Sequence, residues 1–226
     1  MKVIAMIPFW SNYQPSLRGL SCLPLVNIGG KHLICRTVEL INQINLIDEV
    51  VIFASDDKVM SYIDDNVPCS FLRRDKSLDS DSTSIEDIIE SFITKTSADV
   101  IVLVHPKSPF IKPETIEDCL HQVLSSNYDS AFTARSIRKH AWYRGKPLNY
   151  SRAHDTPALS IIEPVIIETS SVYVFTSKLF NNNRKRIGEN PFIKEIGHFE
   201  GFEIEREDDY TMAELIINAG LDRERS

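Results

Sequence analysis

Four short apolar runs constrain this chain more than any other feature: KVIAMI at 2–7, EVVIFA at 49–54, CSFL at 69–72 and DVIVLV at 99–104. They are rich in β-branched residues, and none shows the polar alternation of a half-exposed strand. Strands of this kind are covered on both faces, as in a parallel sheet held between helices. Helical patterns lie between the runs, so the order is βαβα, and right-handed crossovers make the sheet doubly wound. With 226 residues, 42% of them hydrophobic, the chain can bury such a sheet as one α/β domain over 1–226.

Helix signals support this layout. Thr83 and Glu86 form a capping-box pattern ahead of IEDIIESFI, which predicts a helix over roughly 83–95. A second helix is expected from Pro113, with Ile116, Leu120 and Val123 on one face. The last, DDYTMAELIINAG, starts on two acids and stops at Gly220. The pattern breaks between about 135 and 169, where the turn signal RGKP, neighbouring aromatics and further prolines predict a hairpin-like excursion suited to a partner subunit. Strands resume at SSVYVF, 170–175, whose alternation predicts a mixed or an edge position.

Several function classes are disfavoured at this stage. Lys plus Arg (25) against Asp plus Glu (32) gives a net charge of −7, and no basic run exceeds NRKR at 183–186, so a broad nucleic-acid footprint is not expected. No apolar stretch approaches the ~18 residues of a membrane span, and the opening MKVIAMIP is too short for an export signal. Cys22, Cys35, Cys69 and Cys119 form no CxxC pair, which predicts a reduced, cytoplasmic protein. GxGxxG, GxxxxGK[ST] and GxSxG are all missing, which argues against dinucleotide, P-loop and hydrolase-elbow chemistry.

In an open parallel sheet, ligands bind beyond the carboxyl ends of the strands. The segments there are a first loop of more than twenty residues, PFWSNYQPSLRGLSCLPLVNIGGKHLI, then RRDKSLDSDSTS after the third run and HPKSPF after the fourth. Loops as long as the first are usually functional. Near the C-terminus, FEIERED puts Glu203 and Glu205 on one side of an extended segment.

Six stretches, in order, resemble motifs of the CMP-sugar synthetases, most closely the acylneuraminate cytidylyltransferases. GGKHLI (29–34) is similar to GKPLI, LRRDKSLDSDSTSIEDII (72–89) to L-R-P-x-x-L-x-x-D-x-[ST]-S, and VLVHPKSPF to L-L-Q-P-T-S-P-L. GKPLNY, EPVIIETSSVYVF and FEIEREDDYTMAE are similar to G-K-P-L, E-P-x-x-x-E-N-G-A-x-Y and x-[ED]-I-D-x-E-x-D-x-x-x-A-E. The resemblance implies a Rossmann-like nucleotidyltransferase that moves CMP from CTP to an acidic keto-sugar or related small acid, releases pyrophosphate, uses Mg²⁺ and forms a homodimer through the excursion. It places Pro8, Phe9, Gly19, Arg73, Asp81, Ser82, His105, Pro106 and Ser108 at the nucleotide. Arg18 stands in for a phosphate-binding lysine, Lys107 is a phosphate-ligand candidate, and Glu203 and Glu205 are the implied Mg²⁺ ligands.

The departures are specific. Phe9 replaces the arginine of the resembled first loop, Glu-x-Glu replaces Asp-x-Asp, ETSSV replaces E-N-G-A-x, and SIIEP lacks the Gln and Arg common before that motif. They leave open a catalytically divergent nucleotide-binding or scaffolding subunit, or a non-sugar acceptor. Plain structural readings also stand. His105 satisfies backbone at a strand end, Lys107 is a solvated lysine, and Thr83 and Ser82 are helix caps. Arg73 and Arg74 form a weak surface network with acids at 75, 79 and 81. Glu203 and Glu205 form a solvated face, Trp10 and Trp142 are packing or dimer contacts, and FNNNRKRIG is an exposed turn whose Arg184, Lys185 and Arg186 attract anions.

Overall fold

The computed structural model describes residues 1–9, 25–80 and 82–222. Trp10, Arg18, Gly19, Cys22 and Asp81 lie outside the described residues, and so do the expectations attached to them.

The chain opens with β1 (Val3–Phe9), the short strands β2 (Asn27–Ile28) and β3 (Lys31–His32), α1 (Leu33–Ile41), β4 (Glu49–Ala54) and β5 (Ser70–Arg73). It continues through α2 (Ile85–Ile93), β6 (Val100–Val104), α3 (Pro113–Leu124), β7 (Ser130–Ile137), β8 (Trp142–Tyr143) and β9 (Lys146–Pro147). It ends with β10 (Val165–Thr176), α4 (Ser177–Asn183), β11 (Pro191–Glu195) and α5 (Glu207–Asn218).

Seven strands form one sheet in the order β11-β7-β10-β6-β1-β4-β5. Of these, β10 runs antiparallel to both its neighbours and the other pairings are parallel. The sheet is therefore mostly parallel, with helices on both faces, as the unalternating runs require. Successive residues of one strand feed separate cores: Val3, Ala5, Ile7 and Phe9 pack with α1 and α3, while Ile4 and Met6 pack with α2 and α4. For β10 the mixed alternative holds and the edge alternative does not. Val172 and Val174 serve the first core, and Tyr173 and Phe175 the second.

Three local expectations are corrected. β1 extends past residue 7, so Pro8 and Phe9 are strand and the Phe9 side chain, 3% exposed, is core. The register with β6 stops at Met6, which lets the strand tolerate the missing N–H of Pro8. The capping box of α2 lies one residue later than predicted. Ser84 Oγ accepts from the Asp87 N–H at 3.1 Å, and Asp87 accepts from the Ser84 N–H at 3.1 Å. Both frames satisfy the pattern, but only this one leaves Glu86 free of capping duty, and it pairs with Arg186 at 2.9 Å. The third correction concerns Arg74 and belongs to the site described below.

α3 starts at Pro113 as expected, and α5 is followed by Gly220 at φ 70°. The N-cap of α3, Lys112, offers no side-chain cap; instead Glu200 accepts from the Lys112 N–H (3.3 Å) and from Thr115 Oγ (2.5 Å).

β7 and β10 outrun the sheet as a two-stranded ribbon, with Ile137 paired to Val165, so the excursion itself is 138–164. Its β8–β9 hairpin turns at Arg144 and Gly145, both at positive φ, where RGKP predicted a turn. Trp142, Tyr143, Leu148, Leu159 and Ile161 on this excursion are all at least half exposed.

Candidate active site

β6 delivers His105, Pro106, Lys107 and Ser108 to the carboxyl end of the sheet, and hydrogen bonds fix that loop in place. The His105 N–H donates to the Ser171 carbonyl (3.2 Å) and the Lys107 N–H to the His105 carbonyl (2.8 Å). Ser108 Oγ lies 2.7 Å from Ser171 Oγ. The Ile204 N–H donates to the Lys107 carbonyl at 2.9 Å, and the Ile204 side chain is fully buried. Because Ile204 points inward, Glu203 and Glu205 flank Lys107, and its Nζ lies 3.3 Å from one carboxylate and 3.5 Å from the other. The same-side reading of the two glutamates is thus met by a lysine between them.

The ETSSV stretch is a register shift in β10 between Glu168 and Tyr173. Several of its polar groups are engaged. Thr169 Oγ donates to the Thr133 carbonyl (3.0 Å) and lies 2.6 Å from Thr133 Oγ, while the Ser170 N–H donates to Glu203 (2.9 Å). A bulge beside a site re-aims side chains, and here it anchors Glu203.

His105 has its imidazole pushed down to about 3, chiefly by burial, with Lys107 and Arg186 adding electrostatic pressure in the same direction. It is therefore a neutral donor and acceptor within the electrostatic reach of two cations. Pro106 is buried, and Ser108, 6% exposed, is committed to Ser171. Ser82 is exposed, with its hydroxyl 2.8 Å from that of Ser80.

The two adjacent arginines behave differently. Arg73 is exposed, as the surface reading expects, but its partners are the Ser55 carbonyl and Asp57, both at 2.9 Å, rather than the acids at 75, 79 and 81. Arg74 corrects that reading. Its guanidinium is buried, donates to the carbonyls of Phe9 (2.8 Å) and Phe53 (3.4 Å), and pairs with Asp79, which also accepts from Ser55 Oγ. One side chain thus ties the ends of β1 and β4 to the loop after β5. Burial lowers its pKa, yet a guanidinium stays charged.

Arg186 departs from the exposed-turn reading as well. Arg184 and Lys185 are exposed, but Arg186 turns inward, stacks 4.5 Å above the Tyr173 ring and pairs with Glu86. The Tyr173 hydroxyl donates to Glu168 at 2.9 Å, and burial pushes its pKa up to about 12. Sequence spacing could not reveal this cluster, because its members come from β10, α2 and the segment after α4.

A family model described as cytidylyltransferase matches residues 19–182, from the first loop to the end of α4. The chain belongs to the cytidylyltransferase family. A CMP:2-keto-3-deoxy-manno-octonic acid synthetase complexed with CTP superposes with a TM-score of 0.61 at 19% identity, covering 97% of this chain and 87% of that one. The 4-diphosphocytidyl-2C-methyl-D-erythritol synthase of Anaerococcus prevotii DSM 20548 superposes with a TM-score of 0.70 at 13% identity, covering 96% and 98%. At these identities the likeness is one of fold. A comparison with curated proteins gave no match. Among the described residues, no helix is long and apolar enough to cross a membrane.

In this cytidylyltransferase-family chain the carboxylates implied as Mg²⁺ ligands already hold an ammonium. Mg²⁺ demands oxygen ligands in near-octahedral geometry, and the pair does not fit it while Lys107 Nζ lies between the two oxygens. The signal was present in the sequence. Lys107 stands where L-L-Q-P-T-S-P-L has Thr, and Glu-x-Glu stands where the metal pair is Asp-x-Asp, so two separate departures form a single contact.

Proposed function

We propose that the chain transfers a cytidylyl group from CTP to a hydroxyl of an acidic acceptor of the keto-sugar class, with release of pyrophosphate. The observation that carries this reading is the cytidylyltransferase family match over residues 19–182, which includes β4, β5, β6 and the loops that follow them at the carboxyl end of the sheet. The physical requirement is to balance triphosphate charge and align an in-line displacement, which positioned cations do without covalent chemistry. Lys107 lies at that end but its charge is committed to Glu203 and Glu205, so in this reading Arg18 and the cation that accompanies the nucleotide balance the triphosphate, and neutral His105 can donate or accept nearby. The buried Arg74 tie keeps the ends of β1 and β4 in register for a nucleotide lying across them. The nucleotide role of Arg18, Gly19 and Asp81 belongs to the same reading.

The test is pyrophosphate release from each of the four nucleoside triphosphates in Mg²⁺ buffer, against a panel of nonulosonic acids, 3-deoxy-octulosonate and phosphonate or phosphorylated small acids. CTP-dependent release with one acceptor supports the reading and names the substrate. If CTP raises the melting temperature while every acceptor stays silent, the non-catalytic nucleotide-binding subunit is preferred.

The same reading includes a homodimer formed through the excursion. The five exposed apolar side chains from Trp142 to Ile161 support it, since a self-complementary two-fold contact would cover them. Sedimentation should give a dimer at micromolar concentration, and Ile161→Asp should shift it to monomer. A monomer throughout would remove the dimer from the proposal.

A further inference from the structure

We propose that the Lys107 ammonium is the resident cation of the Glu203 and Glu205 pair and takes the place of a divalent metal held by the protein. Three fixed features hold it there. The Lys107 backbone is clamped by the Ile204 N–H, which sets the lysine opposite both glutamates. Glu203 is aimed by the Ser170 N–H at the β10 bulge, and its side chain is only 14% exposed. The Lys107 side chain is 21% exposed, so its stem is packed rather than sweeping through solvent.

Charge and geometry agree with this assignment. Two carboxylates and one ammonium leave a single net negative charge, so the pair attracts a divalent ion less than two free carboxylates would. A divalent ion entering between the oxygens would also meet the lysine at like-charge contact distance. The additional methylene of each glutamate, relative to aspartate, displaces its carboxylate by about one carbon–carbon bond, and both oxygens lie within salt-bridge range of the ammonium, at 3.3 and 3.5 Å. The chain repeats the device elsewhere. Among the described residues, the one group of three potential metal ligands is Cys35, Glu39 and Asp64, and there the Lys31 ammonium bonds Glu39 and lies 3.8 Å from Asp64.

The binding claim is independent of the acceptor and of turnover. Only its catalytic consequence rests on the cytidylyl-transfer reading: the divalent ion needed for reaction arrives bound to the nucleotide, as part of the substrate. The experiment is a Mn²⁺ titration of the full-length, nucleotide-free protein, followed by electron paramagnetic resonance. It covers the wild type, Lys107→Met, Lys107→Met with Glu205→Gln, and Glu205→Gln alone. The wild type should leave the free Mn²⁺ signal undiminished, Lys107→Met should take up one Mn²⁺ per chain, and the double variant should lose it. Stoichiometric binding by the wild type that Glu205→Gln abolishes would overturn the proposal. So would a Lys107→Met protein that keeps its circular dichroism and melting transition yet binds no Mn²⁺. If that variant fails to fold, Lys107→Thr replaces it, and the wild-type titration still decides. No nucleotide enters the measurement, so its failure is distinguishable from failure of the cytidylyl-transfer reading.

Discussion

Arg74 and Asp79 form an ion pair whose side chains are 0% and 3% exposed, and the same guanidinium holds the carbonyl of Phe9 at the end of β1. Removing one partner leaves a buried charge without its counterion. Arg74→Met should therefore cost about 3–5 kcal/mol of stability, read from the midpoint of urea unfolding. Adding Asp79→Asn should restore part of the loss, because the stranded carboxylate is gone. A cost below about 1 kcal/mol for Arg74→Met would show that the pair is not what joins these strand ends.

His105 should make stability depend on pH in one direction. Its folded pKa of about 3 lies below the ordinary value of about 6.5, so on acidification the unfolded chain takes up the proton first. The contribution is present above about pH 6.5 and is lost progressively down to about pH 3. Thermal melts across that window should fall more steeply for the wild type than for His105→Gln. Parallel curves would mean that the imidazole titrates normally in the fold.

Gly29 and Gly30 sit in the turn between β2 and β3, both at positive φ, and differ in what a side chain would meet. A Cβ at Gly29 would lie 2.4 Å from Cγ2 of Ile217 on α5, whereas one at Gly30 meets nothing within 4 Å. Gly30→Ala should cost about 1 kcal/mol from backbone strain alone. Gly29→Ala should cost about 1–3 kcal/mol more, as overpacking moves α5. Equal melting temperatures for the two variants would mean that α5 yields without penalty.

Glu200 caps α3 in place of any residue of its own turn. Glu200→Ala should lower stability by about 1 kcal/mol, and Glu200→Gln, which keeps an acceptor, by less. Amide exchange at Lys112 reports the same event locally. Unchanged protection there in Glu200→Ala would assign the cap to water.

The sequence by itself determined the sheet and its layers. Unalternating runs such as DVIVLV demand cover on both faces, and Pro113 and Gly220 mark helix ends through properties of single residues. It also placed His105 and Lys107 directly after the fourth run, and the alternation of an extended segment put Glu203 and Glu205 on one side. Tertiary structure decided what those residues do, because their partners are far away in the chain. Arg73 and Arg74 read alike in sequence, yet one is exposed and the other buried against Phe9, 65 residues away. Thr83 with Glu86 reads as the capping box of α2, yet Ser84 with Asp87 forms it and Glu86 engages Arg186, 100 residues on. Lys107 and Glu205 are separated by 98 residues, and only the pairing of Ile204 with the loop after β6 brings an ammonium between two carboxylates. Local propensity acts over a few residues, whereas the energy of a charge is set by whatever the fold packs around it.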